Sequence, residues 1–305
     1  MVMRGKNINL FLMDGTANGR VKCTLANWTG VAYRIPRTDL EKCRERDDLK
    51  QSGVYFLFGT SDQTGENVVY IGQAGVRKNG EGILFRLQEH KRNPDKDYWT
   101  EAVVFTTSNN SFGPTEISYL ENRFCNLALE AKRYVVKNGN DPTSGHITEE
   151  KESELEEFLD YAKIVMGTLG HKVFEPIVAT PKSAPEDSTI TQDTSGEPIF
   201  HFDRNKGKAT GRRTSEGFVI HAGSVVATEM KQSCPEVARR FREKYGDKID
   251  SNGVLTSDVL VSSPSAAAGF VSGSNQSGNI VWKTADGKTL KDVESGEIPW
   301  PTITK

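Results

Sequence analysis

The sequence predicts an α+β protein built as two domains. Three observations carry this. At 305 residues the chain exceeds one ordinary domain and fits two. Apolar runs at Val54–Phe58, Val68–Ile71 and Ala102–Thr106 have strand length, whereas the stretches after Pro114 and Thr148 carry apolar stripes at helical spacing. Between Val178 and Pro198 the periodicity stops, and Pro, Ser, Thr, Asp and Glu dominate, as in a flexible linker.

The elements follow in order. Residues 7–13 and Val21–Leu25 read as a hairpin around the turn Asp14–Gly19. Pro36 and Thr38-Asp39 then introduce a short charged helix over Leu40–Leu49. Val54–Phe58 is almost continuously apolar, which predicts a strand buried on both faces. Thr60–Gly65 makes a turn, and Val68–Ile71 returns antiparallel. Ile83, Leu84 and Leu87 place a helix over Ile83–Lys91, ended by Pro94; Ala102–Thr106 is the third strand. Pro114 opens a long helix whose stripe is Ile117, Leu120, Phe124, Leu127 and Ala131, with Asn138–Pro142 as its stop. A further helix over Thr148–Met166 buries Leu155, Phe158, Leu159, Ala162 and Val165. After the linker come a basic loop from Arg204 to Arg213, strands at Glu216–Ala222 and Val225–Ala227 paired about a Gly-Ser turn, and a basic helix over Pro235–Tyr245. Val259–Val261 is a strand, Ser263–Ala268 a capped helix start, and Asn279–Trp282 a strand before the turn at Asp286.

Composition narrows the function. The formal charge is -2, so the chain is not coated with positive charge, and any nucleic-acid surface must be local. Four scattered cysteines, Cys23, Cys43, Cys125 and Cys234, form no CxxC pair. This argues against structural zinc or a disulfide framework and for a reducing, cytoplasmic home. The apolar run Ile8–Met13 is too short and polar for a signal peptide or a membrane span.

Several residues can carry chemistry. Tyr55 and Tyr70 sit on adjacent antiparallel strands, each beside a glycine that permits close approach, so their hydroxyls can converge. Taken singly, each is an ordinary strand aromatic. Arg86 and His90 are four residues apart and share a helix face, where a planar guanidinium suits phosphate oxygens and an imidazole can move a proton. Glu121 borders the apolar stripe of the long helix. A lone carboxylate there can hold one hard divalent cation whose other positions are filled by water and phosphate; a helix salt bridge is the plain alternative. Asn138 reads locally as a helix stop or turn residue.

The ordered set Gly53-Val54-Tyr55, Tyr70-Ile71-Gly72, Arg86, His90, Glu121 and Asn138 resembles the GIY-YIG nuclease domain over roughly residues 53–140. The first triplet departs from the family pattern by Val for Ile. The gap from Glu121 to Asn138 is long, so Asn140 is the alternative asparagine. The resemblance implies a three-stranded antiparallel sheet flanked by helices, here preceded by a hairpin, and cleavage of DNA phosphodiesters with a single divalent cation, Mg2+ or Mn2+. It further implies that Tyr55 activates or orients the attacking water, Tyr70 helps place it, Arg86 stabilises the transition state, His90 shuttles the proton, Glu121 holds the metal and Asn138 completes the site. Lys78, in the glycine-rich loop, is a further phosphate candidate.

Residues from about 215 to 295 are similar to a small domain of unknown function found behind GIY-YIG domains, through Ser263–Ala268, Gly278-Asn279, Trp282-Lys283 and Asp286–Leu290. Arg212, Arg213, Arg239 and Arg240 are the candidate DNA contacts there. The expected organisation is a hairpin and helix over 1–50, the nuclease domain with a helical extension over 51–177, a linker at 178–198 and a DNA-targeting second domain over 199–305. The expected function is a metal-dependent DNA endonuclease. A non-catalytic DNA-binding protein, or a protein–protein adaptor of a defence or restriction system, is the alternative. Pairing of two copies would let a single-site enzyme cut both strands, but no interface is legible.

Overall fold

The structure is a computed structural model that describes residues 5–61, 64–76, 82–139, 147–176 and 198–296. Residues 1–176 and 177–305 form two compact units, mixed α+β in both cases.

The first unit is built on a seven-stranded sheet. Its strands are β1 (Ile8–Leu12), β2 (Val21–Leu25), β3 (Gly30–Pro36), β4 (Gly53–Thr60), β5 (Asn67–Ala74), β6 (Trp99–Thr107) and β7 (Val135–Val136), in the order β1-β2-β3-β6-β4-β5-β7. All neighbours are antiparallel except β5 and β7, which run parallel. The three strands expected from the sequence are therefore the centre of a larger sheet. β3 joins β6 in a long-range pairing that carries the opening hairpin into the sheet as strands β1 and β2.

Two apolar layers clothe this sheet, and β4 explains why. Its side chains alternate between faces and are buried on both, so the run is continuously apolar. Val54, Phe56 and Phe58 pack with Val69, Ile71, Val103 and Phe105 beneath helices α2 (Pro114–Ala131) and α3 (Glu149–Thr168). Tyr55 and Leu57 face the other way. They pack with Tyr33, Ile35, Val104, Leu40, Cys43 and Leu49 beneath helix α1 (Ile83–Arg92). Pro114 opens α2, and the Glu116 carboxylate accepts from the Gly113 backbone N–H at 3.1 Å.

Local differences from the sequence reading have physical reasons. The expected helix over Leu40–Leu49 is two 3-10 turns, Arg37–Cys43 and Asp47–Leu49. Leu40 and Cys43 are both buried, and a spacing of three aligns side chains in a 3-10 turn. The long helix stops at Ala131, where Lys132 takes a left-handed conformation with φ 51°, so Asn138 is not its cap. The expected linker lies outside the described residues apart from Pro198, as do Lys78 and Asn140.

The second unit has a four-stranded antiparallel sheet of β8 (Phe200–Arg204), β9 (Gly207–Thr214), β10 (Gly217–Ile220) and β11 (Val259–Val261), ordered β11-β10-β9-β8. Helices α4 (Glu236–Lys244), α5 (Pro264–Ser272), α6 (Gly278–Val281) and α7 (Leu290–Gly296) complete it. Phe202, Phe218, Phe270 and Trp282 are fully buried in its core. The expected basic loop is the β8–β9 hairpin, turned by Asn205 and Lys206 at φ 53° and 62°. Val225 bridges Lys208 and Val254 instead of pairing with β10, whose edges β9 and β11 occupy. The expected strand at Asn279–Trp282 is mostly helix α6. Ser265 Oγ accepts from Gly278 N at 3.0 Å, and Trp282 Nε1 donates to Pro264 O at 3.0 Å, which curls this segment against α5.

Candidate active site

The expected site residues meet around the outer edge of β5. In the β4–β5 register Tyr55 lies opposite Gly72 and Tyr70 opposite Leu57, so both phenols leave the same face, toward α1. Their rings are 6.3 Å apart between centroids. Gly72 is what lets them approach: the Tyr55 ring occupies the space a β-carbon would need. Arg86 and His90 descend from α1 onto this pair. The Tyr55 hydroxyl and His90 Nε2 share a hydrogen bond of 2.7 Å, and the His90 ring stands 5.4 Å from Tyr55 and 5.3 Å from Tyr70. Tyr55 is 1% exposed and His90 4%, while Tyr70 is half-buried and more open to solvent.

On the other face of β5, Gln73 follows Val69 and Ile71 in alternation and meets α2. Its amide donates to Glu121 Oε2 at 2.9 Å. Beyond β7 the β5 edge has no strand partner at Ile71. Asn138 takes that place with its side chain: Oδ1 accepts from Ile71 N at 3.1 Å and Nδ2 donates to Ile71 O at 2.7 Å. Asn138 is thus an edge clamp holding the Tyr70-Ile71-Gly72 backbone, a structural duty invisible in its local sequence.

Charge is unevenly spread across the site. Burial, then the neighbouring Tyr70, pushes the Tyr55 phenol far above its ordinary value, against the pull of Arg86. Burial and the Glu121 charge raise Tyr70. Both phenols keep their protons at neutral pH. Arg86 is held by Glu89 at 2.7 Å, and that partner, before any other, raises its pKa. Burial, followed by the charges of Lys96 and Arg86, lowers His90 to about 4. Burial raises the Glu121 carboxyl, opposed by the Gln73 hydrogen bond and by Arg86.

The His90 shift predicts an acid-linked loss of stability. The folded state resists protonation that the unfolded chain accepts from about pH 6.5 downward. Stability is therefore unaffected above that pH, falls as pH drops toward 4, and levels off below, a loss on the order of 3 kcal/mol. His90→Gln is expected to flatten this part of the curve in urea unfolding measured from pH 7 to 4. An unchanged slope in the variant would place the acid sensitivity elsewhere.

Three residues of this site escaped the sequence reading. Gln73 had a legible signal, a polar residue at a core-facing strand position. Glu89 had a weak one, three residues from Arg86 on a helix. Lys96 had none: its ammonium lies 3.2 Å from the Tyr70 ring centroid only because the turn after α1 folds back over β5.

Glu121 is the carboxylate of this site that could hold a hard divalent cation. Glu121 is half-buried, its Oε2 is oriented by Gln73, and partial desolvation makes its charge favour a nearby cation. Among the described residues no three His, Cys, Asp or Glu side chains cluster to hold a metal, so water and a ligand's oxygens would supply the remaining positions.

The basic residues of the second unit divide. Arg212 is 4% exposed and turned into the fold, which removes it from the expected phosphate-facing set. Arg239 donates to the backbone oxygens of Lys231 at 2.8 Å and Cys234 at 3.3 Å, bracing the loop before α4. Arg213 pairs with Glu294, and Arg240 lies 3.5 Å from Glu236 with most of its side chain exposed.

Residues 200–294 match a family described as a domain of unknown function, DUF4357. The matched range is the second unit's folded part, in line with the likeness read from residues 215–295. No family matches the first unit, and no curated protein or solved structure matches the chain. Among the described residues no helix is long and apolar enough to cross a membrane.

Proposed function

We propose that the chain is a GIY-YIG endonuclease that hydrolyses DNA phosphodiesters with one divalent cation, Mg2+ or Mn2+. The observation that carries the reading is the convergence of Tyr55, Tyr70, Arg86 and His90 on one face of the β5 edge, with Glu121 oriented by Gln73 on the other. These residues are dispersed over 67 positions in the sequence, yet they meet at one strand edge around a buried, titratable phenol–imidazole pair, the kind of setting in which functional sites are found.

The geometry supports the following roles. Tyr70, the more open phenol, places the attacking water. Tyr55 takes the water's proton and passes its own to His90 across their 2.7 Å bond, because a phenol this resistant to ionisation cannot act as a standing base. His90 is neutral and a weak base in the free protein, since burial first, and then the charges of Lys96 and Arg86, oppose its charging. A bound phosphate offsets both cations and makes it a better proton acceptor. Arg86 stabilises the negative charge that grows on the phosphoryl oxygens. Glu121 holds the cation, which when bound neutralises charge on the phosphate. Asn138 keeps the Tyr70-Ile71-Gly72 backbone in place.

The second unit is proposed to add DNA contacts through the exposed Arg240 and Arg213, with the cytoplasm as the setting. The test of function is incubation of the full chain with supercoiled plasmid in Mg2+, Mn2+ or EDTA. Nicking or linearisation that needs the cation is expected. Equal cutting in EDTA would remove the metal mechanism.

A further inference from the structure

We infer that Lys96 is a second phosphate-binding cation of this site, which together with Arg86 grips the phosphodiester. The inference rests on the nuclease reading for its substrate and adds a residue that reading does not contain.

The placement of Lys96 is built by its surroundings. It ends the 3-10 turn Pro94–Lys96, which begins at Asn93, whose side chain accepts from Asp95 N at 2.9 Å. The Arg37 guanidinium then ties this turn down. It donates to the backbone oxygens of Lys91, Lys96, Asp97 and Trp99 at 3.0–3.3 Å, meets the Asp97 carboxylate at 2.8 Å and lies over the Trp99 ring. A lysine on a backbone held this way does not sweep the solvent. Its ammonium is parked on the Tyr70 ring, on the face where Arg86 and His90 also stand.

Among the described residues no carboxylate lies within salt-bridge distance of Lys96. Burial and the nearby Arg86 charge lower its pKa to about 8, and Lys96 and Arg86 together depress His90. Two cations held close and half-buried, with Glu89 paired to Arg86 and no carboxylate paired to Lys96, cost free energy unless something negative binds. A phosphodiester supplies that charge, and its two non-bridging oxygens accept from an ammonium on one side and a guanidinium on the other. The cation–π contact holds Lys96 without neutralising it, so the charge stays available to the ligand.

The groups around Lys96 make a pH signature assignable. They are Tyr70 on β5, Arg86 and His90 on α1, and Tyr98 beside its own turn. His90 titrates near 4, Tyr98 is pushed up to about 12, Tyr70 is raised above its ordinary value, and Arg86 stays charged throughout. Only Lys96 among them changes charge between pH 7 and 9. The protonated form binds, and binding raises its pKa. Affinity is therefore full below about pH 8 and falls as pH rises beyond it.

The test needs neither cation nor turnover. Affinity of the full chain for a short double-stranded DNA is measured in EDTA from pH 6.5 to 9.5 for the wild type, Lys96→Met and Lys96→Arg, with melting temperatures as a folding control. The expected wild-type affinity falls by up to about tenfold in all between pH 8 and 9.5 and then levels off, one proton being involved. Lys96→Met binds about tenfold more weakly at pH 7, shows no step near 8, and has a salt slope smaller by about one. Lys96→Arg restores affinity without the step, which an effect of lost packing would not do. A Lys96→Met variant that binds like the wild type, or one that keeps the step, overturns the inference. Cation-dependent cutting by the wild type alongside either result leaves the nuclease reading standing, whereas a wild type that neither binds nor cuts DNA removes both.

Discussion

Arg86→Ala is expected to lower DNA cleavage by about 10³-fold or more while the protein stays folded. Arg86 sits near the middle of α1 with its side chain 40% exposed and is not among the helix's fully buried residues, so its loss empties no core position. What it removes is the guanidinium fixed by Glu89 at 2.7 Å beside the Tyr55 phenol. Charge grows on the phosphoryl oxygens as the transition state forms, and a donor already oriented there needs no reorganisation. Arg86→Lys is expected to recover little, because an ammonium cannot present two parallel donors. A melting temperature within a few degrees of the wild type, together with a collapsed single-turnover rate, is the predicted pair of readings. Cleavage within tenfold of the wild type would remove Arg86 from the mechanism.

Gly72→Ala carries the second large effect, and it acts through shape. A β-carbon at Gly72 would overlap the Tyr55 hydroxyl and ring. A flexible side chain could swing aside, but this ring is 1% exposed, hydrogen-bonded to His90 and backed by Tyr70. Relief therefore breaks the phenol–imidazole bond or displaces β5. The expected cost is roughly 2–3 kcal/mol of stability, from overpacking plus the lost buried bond. Cleavage is expected to fall about 100-fold or more even where the protein is fully folded, as a misplaced reacting group does. A folded, fully active Gly72→Ala protein would show that Tyr55 does not need this position.

The motif glycines and tyrosines were legible in the sequence because their requirement is local. Two strands, one register and alternating side chains suffice to bring Tyr55 beside Tyr70. The i,i+4 spacing of Arg86 and His90 is local in the same way. Glu121 was legible as a polar residue beside the α2 stripe, but its partner Gln73 depends on which face of β5 meets α2. The seven-stranded sheet was not legible, since the β3–β6 pairing joins residues about seventy apart with nothing in either strand to name the other. Asn138 was assigned to a helix end because the stripe of α2 runs smoothly toward it, whereas Lys132 ends the helix six residues earlier. Arg212 and Arg239 looked like surface cations by type, yet one is buried and the other spends its guanidinium on backbone carbonyls. Lysine and arginine content alone does not separate a phosphate-binding face from a bracing one.

The two faces of β5 have different jobs in this account. One faces Tyr55 and His90, along which the proposed proton path runs, and the other meets Glu121, the proposed cation ligand, through Gln73. The strand between them carries no side chain at Gly72, and its edge at Ile71 is closed by an asparagine. The measurement that tests this most directly is single-turnover cleavage of supercoiled plasmid in Mg2+ by the wild type and Glu121→Ala, beside DNA affinity measured in EDTA. The account predicts cation-dependent nicking by the wild type, loss of that nicking by about 10³-fold or more in Glu121→Ala, and affinities within a few-fold of each other. Tight, salt-sensitive binding by both proteins with no cleavage by either in Mg2+ or Mn2+ would contradict it, and would make this constellation a DNA-binding surface without hydrolysis.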